Sequence, residues 1–99
     1  MLTIAKRTEN GKAVLAPEGR VDTTTAPELE RVIKEIVPSS DSLTLDFQKV
    51  DYISSAGLRV LLSAHKVLCG KGGMKIVNIS DSIKEIFEIT GFYDILNIG

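Results

Sequence analysis

The sequence predicts an α/β domain, a mixed four- to five-stranded sheet with helices mainly on one side, in the order β-β-α-β-α-β-α. Three observations predict it. Short runs of alternating apolar residues recur along the chain, as half-buried strands do. Amphipathic helical runs separate the later ones, which implies right-handed parallel crossovers. Asn10-Gly11 joins the first two runs, and that dipeptide is a strong hairpin signal, so one pair is antiparallel.

Each element follows from its residues. Leu2-Thr3-Ile4-Ala5-Lys6 alternates and forms the first strand; Lys12 to Glu18 forms the second, closed by Gly19-Arg20-Val21-Asp22. Pro17 cannot donate to a ladder, which places it at an edge or a strand end. A helix starts at Thr25-Ala26-Pro27-Glu28, with Thr25 as cap and Glu28 three residues on. It aligns Leu29, Val32, Ile33 and Ile36 on one face and ends at Pro38-Ser39-Ser40-Asp41. Leu43 to Phe47 is the third strand. A second helix follows, with Ser54 as its cap. It carries Leu58, Leu61, Leu62, His65 and Leu68, widened by Val60, Ala64 and Val67, so it is buried on more than one side. Gly70-Lys71-Gly72-Gly73 stops it, and Met74 to Ile79 is the fourth strand. Ser82-Ile83-Lys84-Glu85 reads as a capping box opening a short helix that ends at Gly91. The tail from Phe92 to Ile98 packs back on the core as a last helical turn.

The 99 residues make one domain, 1–99, that must bury most of its apolar side chains in a single core. A net charge of −1 with scattered lysines and arginines argues against nucleic-acid binding, which leaves a basic footprint. No apolar run reaches the roughly 18 residues that span a membrane. The early charges of Met1-Leu2-Thr3-Ile4-Ala5-Lys6-Arg7 do not suit a signal peptide, so a soluble, cytoplasmic protein is expected. One cysteine, Cys69, and one histidine exclude a four-ligand Cys/His zinc site. Cys69 reads as a small buried residue at a helix end.

Three enzyme-like constellations fail on their own chemistry. A nucleophile elbow needs G-x-S-x-G, and with Ser55 as nucleophile the first glycine is replaced by Ile53. The sole histidine, His65, lies ten residues down the same helix, roughly 15 Å away at 1.5 Å per residue. Gly70-Lys71-Gly72-Gly73 lacks the spacing and hydroxyl of a phosphate-binding loop and leaves a helix instead of entering one. Asp22, Asp46 and Asp51 have no metal-specifying spacing and read as loop and turn carboxylates, although Asp22, Asp51 and the second helix start can share one sheet edge. Asp46, inside an apolar strand, requires a backbone or hydroxyl partner. Neither a metal nor a cofactor is expected. Taken alone, Ser54 is a cap and Ser55 a small residue facing solvent.

The segment Tyr52-Ile53-Ser54-Ser55-Ala56-Gly57-Leu58-Arg59-Val60-Leu61-Leu62 resembles the signature of the STAS domain family, in particular the bacterial anti-sigma factor antagonists. The resemblance spans the chain. It includes Gly19-Arg20-Val21-Asp22 with Thr24, Thr25 and Ala26, the strand Leu43 to Phe47, and Ile83 to Phe87 with Gly91-Phe92. It implies a single STAS domain that is not an enzyme and works by partner switching. The unmodified form binds an anti-sigma factor that is also a serine kinase, and so releases the sigma factor. Phosphorylation from ATP ends the complex, and a PP2C-type phosphatase restores it. With Gly57-Leu58 in register, the phosphorylated residue falls on Ser55, with Ser54 as the competing acceptor. Asp22, Thr24, Ser54, Ser55, Gly57, Leu58 and Arg59 form the implied partner-binding patch, with Gly57 giving the kinase access to the backbone. Many members read Asp-Ser-Ser/Thr-Gly, where this chain has Ser54-Ser55-Ala56-Gly57. The alternative is a non-catalytic docking subunit, not necessarily phosphorylated, of a sensory or lipid- or anion-transport assembly.

Overall fold

The computed structural model describes residues 2–98. Strands β1 (Thr3–Glu9) and β2 (Lys12–Val21) form the hairpin. Asn10 and Gly11 both take positive φ, 52° and 78°, as a twisted two-residue turn demands. Helix α1 (Ala26–Ile36) continues as a short 3-10 turn, Val37–Ser39. Strands β3 (Ser42–Asp46) and β4 (Lys49–Ile53) precede helix α2 (Ser55–Leu68). Strand β5 (Met74–Val77), helices α3 (Asp81–Thr90) and α4 (Phe92–Ile95), and the two-residue strand β6 (Asn97–Ile98) complete the chain.

The sheet runs β1-β2-β3-β5-β6, with β4 also paired to β2. Among the described residues only the β1–β2 pair is antiparallel. On the covered face, Ala13, Leu15, Leu43, Leu45, Met74 and Ile76 are buried. Helix α1 packs on β2, α2 on β4 and β5, and α3 on β4, while the alternate strand residues Val14, Ala16 and Thr44 stay half-buried on the opposite face. The single-face arrangement and the mixed sheet agree with the expected class.

Several elements differ from expectation, each for a local reason. The third strand does not stop at Phe47. It breaks there and resumes as β4 along the same partner. Leu15 pairs with Leu45 and Val21 with Ile53, so six steps on β2 face eight on the other side. Asp46 makes the break: its Oδ1 accepts the Gln48 N–H at 3.0 Å and the Asn78 side-chain amide at 3.1 Å. Pro17 is neither at an edge nor at a strand end, because β2 has neighbours on both sides. It is tolerated because the parallel ladder is interrupted between Leu15 and Glu18.

Thr25 occupies the first position before α1 but caps nothing with its side chain. Its hydroxyl donates to the Arg20 carbonyl at 2.7 Å and accepts the Asp22 N–H at 2.8 Å. The cap of α3 is Ser80, whose Oγ accepts the Ile83 N–H at 3.3 Å; Ser82 lies inside the helix. Cys69 is exposed, because it sits past the last buried turn, beyond Leu68. Val67 is 57% exposed, so this position of α2 faces solvent. The tail adds β6 after the helical turn, with Lys75 opposite Asn97 and Ile76 opposite Ile98.

Candidate functional site

Strands β2 and β4 end side by side, with Val21 opposite Ile53. The next residue of each, Asp22 and Ser54, therefore starts a loop at the same sheet edge. The Ser54 N–H donates to the Val21 carbonyl at 2.8 Å and ties the two loops together. In open α/β sheets this edge, outside the carboxyl ends of parallel strands, is where binding sites form.

Ser54 is the cap of α2, in extended backbone, with its Oγ accepting the Gly57 N–H at 3.4 Å. The Ser54 carbonyl accepts the Leu58 N–H at 2.9 Å. Ser55 opens the helix and is exposed. The cap thus leaves the Ser55 hydroxyl without a structural duty. It projects at the helix end that carries partial positive charge and free N–H donors.

Gly57 does not serve access to the backbone, because it faces inward. A Cβ there would lie 2.7 Å from both Ile53 Cγ1 and Val21 Cγ1. Its missing side chain lets the helix start close onto the two strand ends. Leu58 is also buried, at 5% exposure. These two residues position the turn, whereas Ser55 and Arg59 are exposed on it. Arg59 follows Ser55 by four residues, so both lie on the same side of α2.

Asp22 organises the other loop. Its Oδ1 accepts the Thr24 N–H at 2.9 Å, the Thr24 hydroxyl at 2.7 Å and the Thr25 N–H at 3.1 Å. The bond from the Thr24 hydroxyl, foremost, and that from the Thr25 N–H hold the carboxyl below its ordinary value. Asp22 is therefore a fixed anion at the rim. Arg20 stands 4.0 Å from Asp22 Oδ2, and its guanidinium covers the Tyr52 ring at 4.6 Å from the centroid. Sequence reasoning missed Arg20 and Tyr52 as part of this edge; the signal was the pairing of β2 with β4, which aligns Arg20 with Tyr52. Asp51 is exposed on β4. Among the described residues no cluster of three His, Cys, Asp or Glu side chains has metal-binding geometry. No helix of the described residues is long and apolar enough to cross a membrane.

A sheet covered by helices on one face, with a serine-bearing helix start and an acid-bearing loop at one edge, defines an α/β domain that presents a serine at a helix N-terminus. The STAS domain family matches residues 3–99, so the chain belongs to the STAS family. It is 31% identical over 82 residues to the anti-sigma-B factor antagonist of Bacillus subtilis, covering 82% of this chain and 75% of that one. It is 33% identical over 82 residues to the anti-sigma-B factor antagonist of Listeria monocytogenes, covering 81% of this chain and 72% of the relative. Among solved structures, an anti-sigma factor antagonist from Mycobacterium paratuberculosis superposes with a TM-score of 0.90 at 24% identity, covering 99% of this chain and 85% of that one. Unphosphorylated SpoIIAA, an anti-sigma factor antagonist, superposes with a TM-score of 0.75 at 13% identity, covering 98% and 87%. These structural likenesses establish the fold.

Proposed function

We propose that this protein is an anti-sigma factor antagonist controlled by phosphorylation of Ser55. The observation that carries the reading is the division between the two serines: Ser54 is committed to the Gly57 N–H, while Ser55 is exposed one residue on. The relatives that are antagonists support the partner class, an anti-sigma factor. In this reading the partner is also a serine kinase and contacts the edge formed by Asp22, Thr24, Ser55 and Arg59. The Ser55 oxygen forms a bond to the γ-phosphorus of ATP, the bond to the β-phosphate oxygen breaks, and the hydroxyl proton leaves to a base of the kinase. ADP departs. A PP2C-type phosphatase reverses the step with water, releasing inorganic phosphate. The domain itself is a non-catalytic regulator acting in the cytoplasm.

Placing the switch at a helix start makes it a surface device. The added charge of about −1.5 to −2 meets the positive helix end and is tolerated by the fold at a gain of about 0.3–1 kcal/mol. In the complex the same charge is desolvated against the partner's surface. A loss of about 2.8 kcal/mol weakens binding roughly a hundredfold.

The test uses the purified anti-sigma factor kinases encoded in the source genome. The wild type is phosphorylated once, and Ser55→Ala abolishes the mark by mass spectrometry. Ser55→Asp loses binding. A Ser55→Ala protein phosphorylated to the same extent on Ser54 would reverse the assignment of the two hydroxyls.

A further inference from the structure

Helices α1 and α2 leave a trough between them. One depression of about 250 Å³ is floored by Ile33, Val37, Val60, Ala64 and Val67. A second, of about 230 Å³, is bounded by Thr23, Pro27, Ala56 and Arg59. Glu30, Val60 and Ser63 line both, so the two depressions adjoin along the same groove. Its mouth lies at Ala56 and Arg59, within one helical turn of Ser55. Its far end lies at Val67, twelve residues along α2, or about 18 Å at 1.5 Å per residue.

We propose that this trough is the second half of the anti-sigma factor's docking surface and receives an apolar ridge of the same partner molecule. The inference rests on the reading of the chain as an antagonist. Three observations commit the occupant. The trough is continuous with the Ser55 edge, so a partner seated on Ser55 lies across its mouth. Its floor is apolar, and Val67 is left 57% exposed. The charges on its α1 rim are already matched: Lys34 Nζ pairs with Glu30 Oε1 at 3.7 Å. An apolar segment therefore fits, and a charged one has no free countercharge on that rim. The arrangement also explains how one phosphoryl group ends a large contact. The mark stands at the mouth, and the contact at Val67 is lost with the partner's registration.

Val67→Lys tests the far end without touching the turn. Lysine is a good helix former, and near the helix C-terminus its charge is favourable, so folding is retained. Ser63→Phe fills the groove where the two depressions meet. Binding of the unphosphorylated variants to the purified anti-sigma factor kinase is measured by calorimetry, beside wild type and Ser55→Asp. Each trough variant is expected to bind at least tenfold more weakly, 1.4 kcal/mol, with an unchanged melting temperature. Both variants binding as wild type, while Ser55→Asp does not, overturns the trough and leaves the antagonist reading intact. Failure of wild type to bind any such kinase overturns both. Sedimentation of the protein alone separates the remaining occupant: a dimer abolished by Val67→Lys assigns the trough to a second copy and overturns the proposal.

Discussion

Gly57→Ala is the sharpest probe of how the fold presents Ser55. Gly57 is helical, so the substitution causes no backbone strain, and replacing glycine by alanine gains at most about 1 kcal/mol, the helix-interior value, since Gly57 lies in the first turn of α2. Against this, the new methyl lands 2.7 Å from Ile53 Cγ1 and 2.7 Å from Val21 Cγ1. Both neighbours are buried, at 2% and 0% exposure, and both are branched side chains on paired strands. Neither can swing aside, because β-branched side chains have few rotamers. Overpacking of this kind costs about 1–3 kcal/mol, and two simultaneous clashes place it near the upper end. The net expectation is a loss of about 1–2 kcal/mol after the helical gain. Urea denaturation should show a lower midpoint at unchanged slope. Gly70→Ala is the control, since nothing lies within 4 Å of its Cβ position; it should be neutral or mildly stabilising. If Gly57→Ala proves as stable as Gly70→Ala, the helix start is not held by close approach to the strand ends, and the reasoning fails.

The two serines should separate cleanly in stability: Ser54→Ala loses about 0.5–1 kcal/mol as a removed cap with a long bond, while Ser55→Ala stays within about 0.5 kcal/mol of wild type. Thermal melts of the pair decide this. Gly91→Ala should cost about 1–2 kcal/mol, because Gly91 ends α3 at φ +81°, where a Cβ is strained; a melting point unchanged by this variant contradicts it. The Asp22 carboxyl has a lowered folded pKa, so its stabilisation is present above the ordinary value of 3.8 and is lost as pH falls through the folded value. Asp22→Asn should therefore flatten the acid limb of stability below about pH 4 and leave the slope near neutrality unchanged, as read from denaturation midpoints against pH.

Most of the architecture was legible because it rests on local signals. The Asn10-Gly11 turn, the α1 stripe of Leu29, Val32, Ile33 and Ile36, and the Ser54 cap all act within a few residues of themselves. The misreadings share a cause: they depend on partners far along the chain. Lys49-Val50-Asp51-Tyr52-Ile53 is buried only at Val50 and Ile53 and shows no clean alternation, so it reads as a strand only once β2 is known to extend far enough to pair with it. Thr25 has the chemistry of a cap, but its hydroxyl is already bonded to the Arg20 carbonyl. Ser80 and Ser82 are equally good caps by type, and only the chain path out of β5 selects Ser80. At the candidate site, spacing placed Ser54, Ser55 and Arg59 correctly on one helix start. The resemblance, which grouped Gly57 and Leu58 with the surface patch, does not separate exposed from inward residues, and both are buried.

Beyond α2, the Lys71 ammonium donates to the carbonyls of Val37 at 3.1 Å and Ser40 at 3.2 Å. The Gly72 N–H reaches the Asp41 carbonyl at 2.6 Å. These bonds brace the far ends of α1 and α2; at the near end Ser54 ties α2, and the Thr25 bond to the Arg20 carbonyl ties α1, to the same strand β2. The gap between the helices is thus a jaw of fixed width. A guest must arrive already shaped to it, and the host loses little conformational freedom on closing the contact. In the proposed complex, discrimination among related guests then falls to shape.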